Sequence, residues 1–302
     1  MTNILEVRGL TKRFNEFRAV DDLTFSVKKG EVYGFLGQNG AGKSTTIRML
    51  MTLIEPDSGE IEIFGKKLAK NRKEILRNIG AVIERPDLYK YLTAIENLRI
   101  FATMSGIKVS DKCLMEQLDT VGLAARAKSK VRTYSQGMKQ RLGLACALVH
   151  NPELIILDEP TNGLDPQGIA DMRNKIIQLS KEENKTLLVS SHLLNEMEMM
   201  ADSMIIINKG KKIIEGKVSE LLHPEVSVIE LKTPSHHSLS ELIGKTEWAS
   251  CLKMHSGDIF RFEFNKDRIS EFNKQLVLAG IEVNSLGPVN SLEQFFLSQT
   301  QE

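Results

Sequence analysis

One stretch carries the densest chemical information in the chain: Gly37-Gln38-Asn39-Gly40-Ala41-Gly42-Lys43-Ser44-Thr45. It fits G-x-x-x-x-G-K-[ST], and it follows an apolar run and opens a helical pattern. Its glycines let successive backbone N–H groups converge on phosphate oxygens, and the N-terminus of the following helix adds a favourable dipole. The Lys43 ammonium would reach the β- and γ-phosphates of a nucleoside triphosphate, and the Ser44 hydroxyl would ligate Mg2+. A second constellation is the apolar run 154–157 followed by Asp158-Glu159. A buried strand that delivers a carboxylate at its carboxyl end can hold Mg2+ through Asp158, directly or through water. Glu159 beside it is placed to take the proton of an attacking water. Many strands end in a solvated acidic turn, so this pair gains its meaning from the glycine loop.

These residues need elements to aim them. Residues 32–36 form a dense apolar run that leads into the glycine loop. Ile47, Leu50, Met51 and Ile54 then recur on one helical face, and Glu55-Pro56 closes that helix. Leu23, Phe25 and Val27 alternate with polar residues, as do Ile61 and Ile63, the pattern of half-buried strands. Runs 154–157 and 187–190, separated by a helical stretch over 169–179, imply a parallel crossover. Residues 86–130 lack alternation and read as mostly helical. Residues 204–207 and 212–214, joined by Asn208-Lys209-Gly210, read as a hairpin.

A boundary near 222–225 separates domains 1–222 and 223–302. The second reads as strand (226–231), helix (239–243), strand (250–254), turn (256–258), strand (260–264), helix (267–278) and strand (281–283). That is the order of a ferredoxin-like split β-α-β-β-α-β unit. Asn290 with Glu293 would cap a last helix ending in Phe295-Phe296-Leu297.

Bulk properties exclude several classes. A length of 302 residues suits one large domain, or one large and one small. Forty basic against 39 acidic residues leave a net charge of +1, which offers no electrostatic footprint for nucleic acid. Runs such as 154–157 and 204–207 fall far short of the roughly 20 apolar residues that span a bilayer. Met1-Thr2-Asn3-Ile4-Leu5 lacks a charged segment followed by an apolar core, so no signal peptide is expected. Cys113, Cys146 and Cys251 are odd in number and far apart, which suits free buried thiols in a reducing compartment better than a zinc site or disulfides.

Kinases, GTPases, helicases and many motors share a phosphate loop with an acidic strand end. Tyr134-Ser135-Gln136-Gly137-Met138-Lys139-Gln140-Arg141 separates them. It resembles the L-S-G-G-Q signature of ABC ATPases, with Tyr134 for Leu, Gln136 for the first Gly and Met138 for the Gln. Ser135 and Gly137 remain, a hydroxyl and a bare backbone at a helix N-terminus, where phosphate would be met. Ser135 also suits an ordinary N-cap. The resemblance covers residues 4–220, making the glycine loop the Walker A motif and 154–159 the Walker B motif. Asn162-Gly163-Leu164-Asp165 resembles the D-loop, and Ser190-Ser191-His192 resembles the switch, with His192 at the γ-phosphate. Phe14 matches the aromatic position on which adenine stacks, with Val20 as a second contact. After residues 79–83 the family places Gln, whereas this chain has Glu84. At that position Glu84 would be a third carboxylate beside Asp158 and Glu159, either tightening metal binding or taking a raised pKa.

The resemblance implies an α/β P-loop NTPase of the ABC ATPase fold: a RecA-like α/β core, an antiparallel β subdomain and a helical subdomain, followed here by a small α+β C-terminal domain. It implies ATP and Mg2+, with Lys43, Glu159 and His192 in catalysis. It also implies a head-to-tail dimer, each ATP lying between one subunit's Walker A and the other's signature. A separate transmembrane permease would contact a groove lined by residues 84–98, placing the chain on the cytoplasmic face of the cell membrane. Glu84, the Tyr-Ser-Gln-Gly-Met signature and Asn162-Gly163-Leu164-Asp165-Pro166-Gln167-Gly168 resemble the bacitracin-resistance, lantibiotic-immunity and multidrug export branch. Export of a peptide antibiotic or drug follows from that branch. The rival is an ABC ATPase acting on ribosomes or DNA, against which stand the single cassette and the lack of a heptad run or cysteine pair. A non-ABC phosphate-loop kinase would leave the signature and His192 unexplained. The C-terminal domain stays open between binding a regulatory ligand and stabilising a dimer.

Overall fold

The structure, a computed structural model, describes residues 2–222, 226–244 and 246–288. Two compact units divide the chain, Met1–Lys217 and Val218–Glu302. The helix expected to run from a cap at Asn290 through Phe295-Phe296-Leu297 lies outside the described residues.

The first unit opens with a hairpin of β1 (Asn3–Phe14) and β2 (Phe17–Lys28), followed by β3 (Val32–Leu36) and α1 (Lys43–Leu50). Next come β4 (Ser58–Ile63), β5 (Lys66–Lys67), α2 (Leu68–Leu76) and β6 (Ile79–Val82). A helical region holds α3 (Ala94–Met104), α4 (Asp111–Thr120) and α5 (Gln136–Leu148). The unit finishes with β7 (Leu154–Asp158), α6 (Pro166–Lys181), β8 (Thr186–Ser191), α7 (Leu194–Met200), β9 (Ser203–Asn208) and β10 (Lys211–Lys217).

These strands make a four-stranded antiparallel sheet, β2-β1-β4-β5, and a six-stranded sheet, β10-β9-β3-β8-β7-β6. In the larger sheet β9, β3, β8, β7 and β6 run parallel, and β10 folds back antiparallel on β9 as the expected hairpin. β3, β7 and β8 are buried at every position, because a parallel sheet needs cover on both faces. Phe25 of β2 joins the two sheets, stacking on Tyr33 at 5.9 Å and tilting against Phe35 at 5.3 Å. A separate core in the helical region gathers Leu98 of α3, Leu114 and Leu118 of α4 and Leu142 of α5.

Parallel strands place all their carboxyl ends on one edge, where α/β sheets keep their ligands. Gly37 follows β3, Glu84 comes shortly after β6, Glu159 follows β7 and His192 follows β8. Residues remote in sequence are thereby delivered to a single rim.

α1 is shorter than its apolar periodicity suggests. It stops at Leu50, and Thr52 turns left-handed at φ 56. The Leu53 N–H then closes on the Arg48 carbonyl at 2.8 Å, ending the helix before Glu55-Pro56. The cysteines also depart from expectation: Cys146 is buried, Cys113 is exposed and Cys251 is half-buried. Burial pushes the Cys146 thiol well above its ordinary range. Among the described residues, no helix is long and apolar enough to cross a membrane.

The second unit runs α8 (Val218–Leu222), β11 (Val226–Lys232), α9 (His236–Gly244), β12 (Leu252–Ser256), β13 (Ile259–Asn265), α10 (Ile269–Leu278) and β14 (Ser285–Pro288). The sheet order is β12-β13-β11-β14, antiparallel throughout, which is split β-α-β-β-α-β connectivity. Its core packs Phe260, Phe262 and Phe264 of β13 against Phe272 and Leu276 of α10 and against Trp248. The buried Trp248 indole donates to Gln275 Oε1 at 2.8 Å. The last strand begins later than the apolar pattern at 281–283 suggests. There the Ile281 N–H closes the end of α10 by bonding the Leu276 carbonyl at 3.0 Å, while its side chain is buried.

Candidate active site

The glycine loop is pinned to the sheet rim. Gly37 N–H bonds the Ser191 carbonyl at 3.2 Å, and the Ala41 carbonyl accepts from Gly210 at 3.0 Å. Gly42 caps α1 at φ +106, where an added Cβ would sit 2.5 Å from the Ala19 carbonyl oxygen. No other residue fits that backbone and that contact.

Lys43, the first residue of α1, is only 5% exposed, so its charge requires partners. Its Nζ donates to the Gly37 carbonyl at 2.6 Å and the Gln38 carbonyl at 3.2 Å. Glu159 Oε1 lies 3.1 Å from the same nitrogen, near enough for charge attraction yet outside hydrogen-bond alignment. Glu159 itself sits at φ +51, directly after β7. Its other oxygen, Oε2, accepts from His192 Nδ1 at 2.8 Å, since an ionised carboxylate can only accept. Lys43, Glu159 and His192 thus form one continuous line across the rim.

Ser190 is the residue that sequence reading left without a role. It is the penultimate residue of β8, opposite Asp158 of β7. Its hydroxyl donates to Asp158 Oδ1 at 2.5 Å and accepts from Glu159 N–H at 2.9 Å. Asp158 is 1% exposed, and its Oδ2 has no hydrogen-bond partner. Ser44, one residue after Lys43, is half-buried. A buried, unmatched carboxylate oxygen together with a hydroxyl at the phosphate loop is a donor set that suits Mg2+, which takes one or two protein oxygens and fills the rest from phosphate and water. Among the described residues no group of three or more acidic, His or Cys side chains could hold a metal alone.

That last fact corrects the expectation for Glu84. It does not join Asp158 and Glu159 in a three-carboxylate cluster. Its side chain is 57% exposed and ion-paired with Arg48 of α1. Sequence reading had no local signal for this partner, because the pairing is made by the fold.

Phe14 stands at the tip of the β1–β2 hairpin, 45% exposed, with Lys12 Nζ 5.7 Å from its ring centroid. It is open to a stacking base. Val20 is fully buried, and its Cγ2 would lie 3.5 Å from a Cβ placed on Gly42. It has no free face for adenine and instead shapes the back of the glycine loop.

Ser135 caps α5 by accepting from Met138 N–H at 3.2 Å. Gln136 and Gly137 form the first turn. With Leu164, Asp165 and Arg141 they line a cavity of about 350 Å3 that no residue of the glycine loop lines. Asp165 caps α6 by accepting from Gly168 N–H at 3.0 Å. Within one chain, then, the signature and D-loop residues share a pocket separate from the loop that would hold phosphate.

Known proteins are similar to this chain. A family model for ABC transporters matches residues 20–162. The bacitracin transport ATP-binding protein BcrA of Bacillus licheniformis is 44% identical over 98% of this chain and 97% of its own length. The lantibiotic transport ATP-binding protein SrtF of Streptococcus pyogenes is 42% identical over 70% of this chain and 90% of its own. Among solved structures, the dimeric ATP-binding cassette MJ0796 bound to ADP and Pi superposes with a TM-score of 0.64 at 27% identity, over 71% of this chain and 98% of that one. The chain belongs to the ATP-binding proteins of the ABC transporter family.

Proposed function

We propose that this chain binds and hydrolyses ATP to power a separate membrane permease, and that it does so as one half of a head-to-tail dimer. The single observation that carries the catalytic reading is the line of Lys43, Glu159 and His192 at the carboxyl edge of the parallel sheet. Lys43 reaches the β- and γ-phosphates from the start of α1 and offsets charge on the transferring phosphoryl group. Glu159 accepts the proton of the attacking water, a general-base contribution of about 10²–10⁴-fold. His192 holds Glu159 through Nδ1 and leaves Nε2 as the nitrogen for the γ-phosphate. Ser190 fixes Asp158 and the backbone of Glu159 together. Ser44 and Asp158 are the residues that would hold Mg2+, which when bound neutralises phosphate charge and orients the β- and γ-oxygens. Phe14 stacks on adenine.

The separate signature pocket supports the dimer, since Ser135, Gln136 and Gly137 line a cavity to which no residue of their own glycine loop contributes. A second subunit would bring its signature to this chain's ATP. The permease reading rests on family membership. It places the chain at the cytoplasmic face of the cell membrane. The names of the relatives, which transport bacitracin or a lantibiotic, favour export of a peptide antibiotic or drug over an action on ribosomes or DNA. Purification of the chain from native membranes tests this reading. A co-purifying permease is the expected result; ribosomes or DNA in its place would overturn it.

A further inference from the structure

Between Asp119 and Glu153 the chain carries no acidic residue, yet it carries Arg126, Lys128, Lys130, Arg132, Lys139 and Arg141. In a chain whose charges balance to +1, this run concentrates positive charge in the helical region. Two single turns of 3-10 helix, Ala124–Arg126 and Val131–Thr133, shape its first part. Ala127, Val131 and Tyr134 are buried in the helical core and anchor it, and the Tyr134 hydroxyl donates to the Arg126 carbonyl at 2.7 Å. Around these anchors Arg126, Lys128, Lys130 and Arg132 are all exposed. Backbone pairing adds a second segment. The Arg132 N–H bonds the Lys90 carbonyl at 2.8 Å, the Val131 N–H bonds the Leu92 carbonyl at 2.9 Å, and Lys130 bridges antiparallel to Thr93. Lys90 is thereby set beside Arg132, and its sequence neighbours Tyr89 and Tyr91 are 51% and 79% exposed. Among the described residues, Lys90, Arg126, Lys128 and Arg132 form no ion pair. Like charges left together without counter-charges repel one another, a cost that an external anionic partner relieves.

We propose that this patch is a docking surface for the anionic phospholipid headgroups of the membrane, a contact made by this chain itself and not through its permease. The proposal rests on the membrane-side reading above, since only there would these residues meet lipid. Two features favour a bilayer. The cations are spread over two neighbouring segments, which suits a broad negative surface better than one bound phosphate. The tyrosines, with an apolar ring and a polar tip, are side chains that settle at a membrane interface. Each cation brought to an anionic surface strengthens binding about fivefold, and salt screens the effect.

The test is co-sedimentation of the full-length chain with phosphatidylcholine vesicles, prepared with and without phosphatidylglycerol. Binding is expected only with phosphatidylglycerol and should fall as NaCl is raised. Lys128→Gln, Lys130→Gln and Arg132→Gln together should weaken it about 100-fold, at about fivefold for each charge. The exchange Lys128→Arg, Lys130→Arg and Arg132→Lys should keep it. Removing three other exposed cations, Lys70→Gln, Lys73→Gln and Arg77→Gln, should leave it nearly unchanged, and denaturant unfolding checks that each triple variant is folded. Equal loss in the two glutamine variants would reduce the effect to net charge and overturn the patch, as would equal binding to neutral vesicles. Retention on duplex DNA but not on anionic vesicles would assign the cations to nucleic acid and overturn it too. No permease is present, so failure here is distinct from failure to co-purify one, which is what would overturn the transporter reading.

Discussion

Lys43 Nζ and Glu159 Oε1 stand 3.1 Å apart, so the cation meant for phosphate and the carboxylate meant for water neutralise each other in the protein alone. Neither charge is left unmatched in a buried rim, where an isolated charge would be costly. A triphosphate entering the glycine loop brings its own negative charge to Lys43 and competes directly with Glu159. On the proposed mechanism His192, already bonded to the second oxygen of Glu159 at 2.8 Å, would keep the carboxylate aimed when Lys43 turns to phosphate. In the proposed mechanism, nucleotide binding and release of the base would therefore be one event.

Ser190 ties this rim together, so Ser190→Ala should both loosen the fold and disturb the site. It removes a donor from Asp158 Oδ1 and an acceptor from Glu159 N–H. Leaving such groups unmatched costs about 1–3 kcal/mol. Denaturant unfolding without nucleotide should show that loss, and Ser190→Thr, which keeps the hydroxyl, should recover most of it. Equal stability of the alanine variant and the parent would remove the bridge from the account.

Two glycines of the loop should differ sharply. Gly42→Ala meets the Ala19 carbonyl oxygen at 2.5 Å as well as the strain of φ +106, whereas Gly40→Ala, at φ +84, meets nothing within 4 Å. Gly42→Ala should cost about 3 kcal/mol or more and Gly40→Ala about 1 kcal/mol in unfolding free energy. Similar losses at the two positions would contradict the close approach of the hairpin to the loop.

Phe14 offers an open ring at the end of β1. Phe14→Ala should weaken ATP binding about tenfold, the value of one base–aromatic stack, while leaving tripolyphosphate binding unchanged. Competition titrations with both ligands separate the two effects. Equal weakening of both would place Phe14 in the packing of the loop and not at the base.

What the sequence made legible was whatever is local. The glycine loop announces itself because its backbone demands glycine at fixed spacing. Strands β3, β7 and β8 show as apolar runs because both their faces are covered. β1 is harder to read, since register shifts between Val7 and Leu10, and again between Leu10 and Lys12, break its alternation. Apolar pattern also reports burial and not hydrogen bonding, which is why Ile281 looked like a strand and instead closes a helix. Tertiary partnerships stayed hidden. Nothing near Glu84 in sequence points to Arg48, nothing near Asp158 points to Ser190, and the full burial of Val20 was not visible from its position upstream of the loop.

Glu159 is proposed as the base of an ATPase whose nucleotide is held by residues 37–45. Its most direct test is ATP retention and phosphate release measured side by side in the wild type and in Glu159→Gln, with Mg2+ present. The expected result is retained ATP binding with turnover reduced by about 10²–10⁴-fold. Turnover in Glu159→Gln equal to that of the wild type would contradict it.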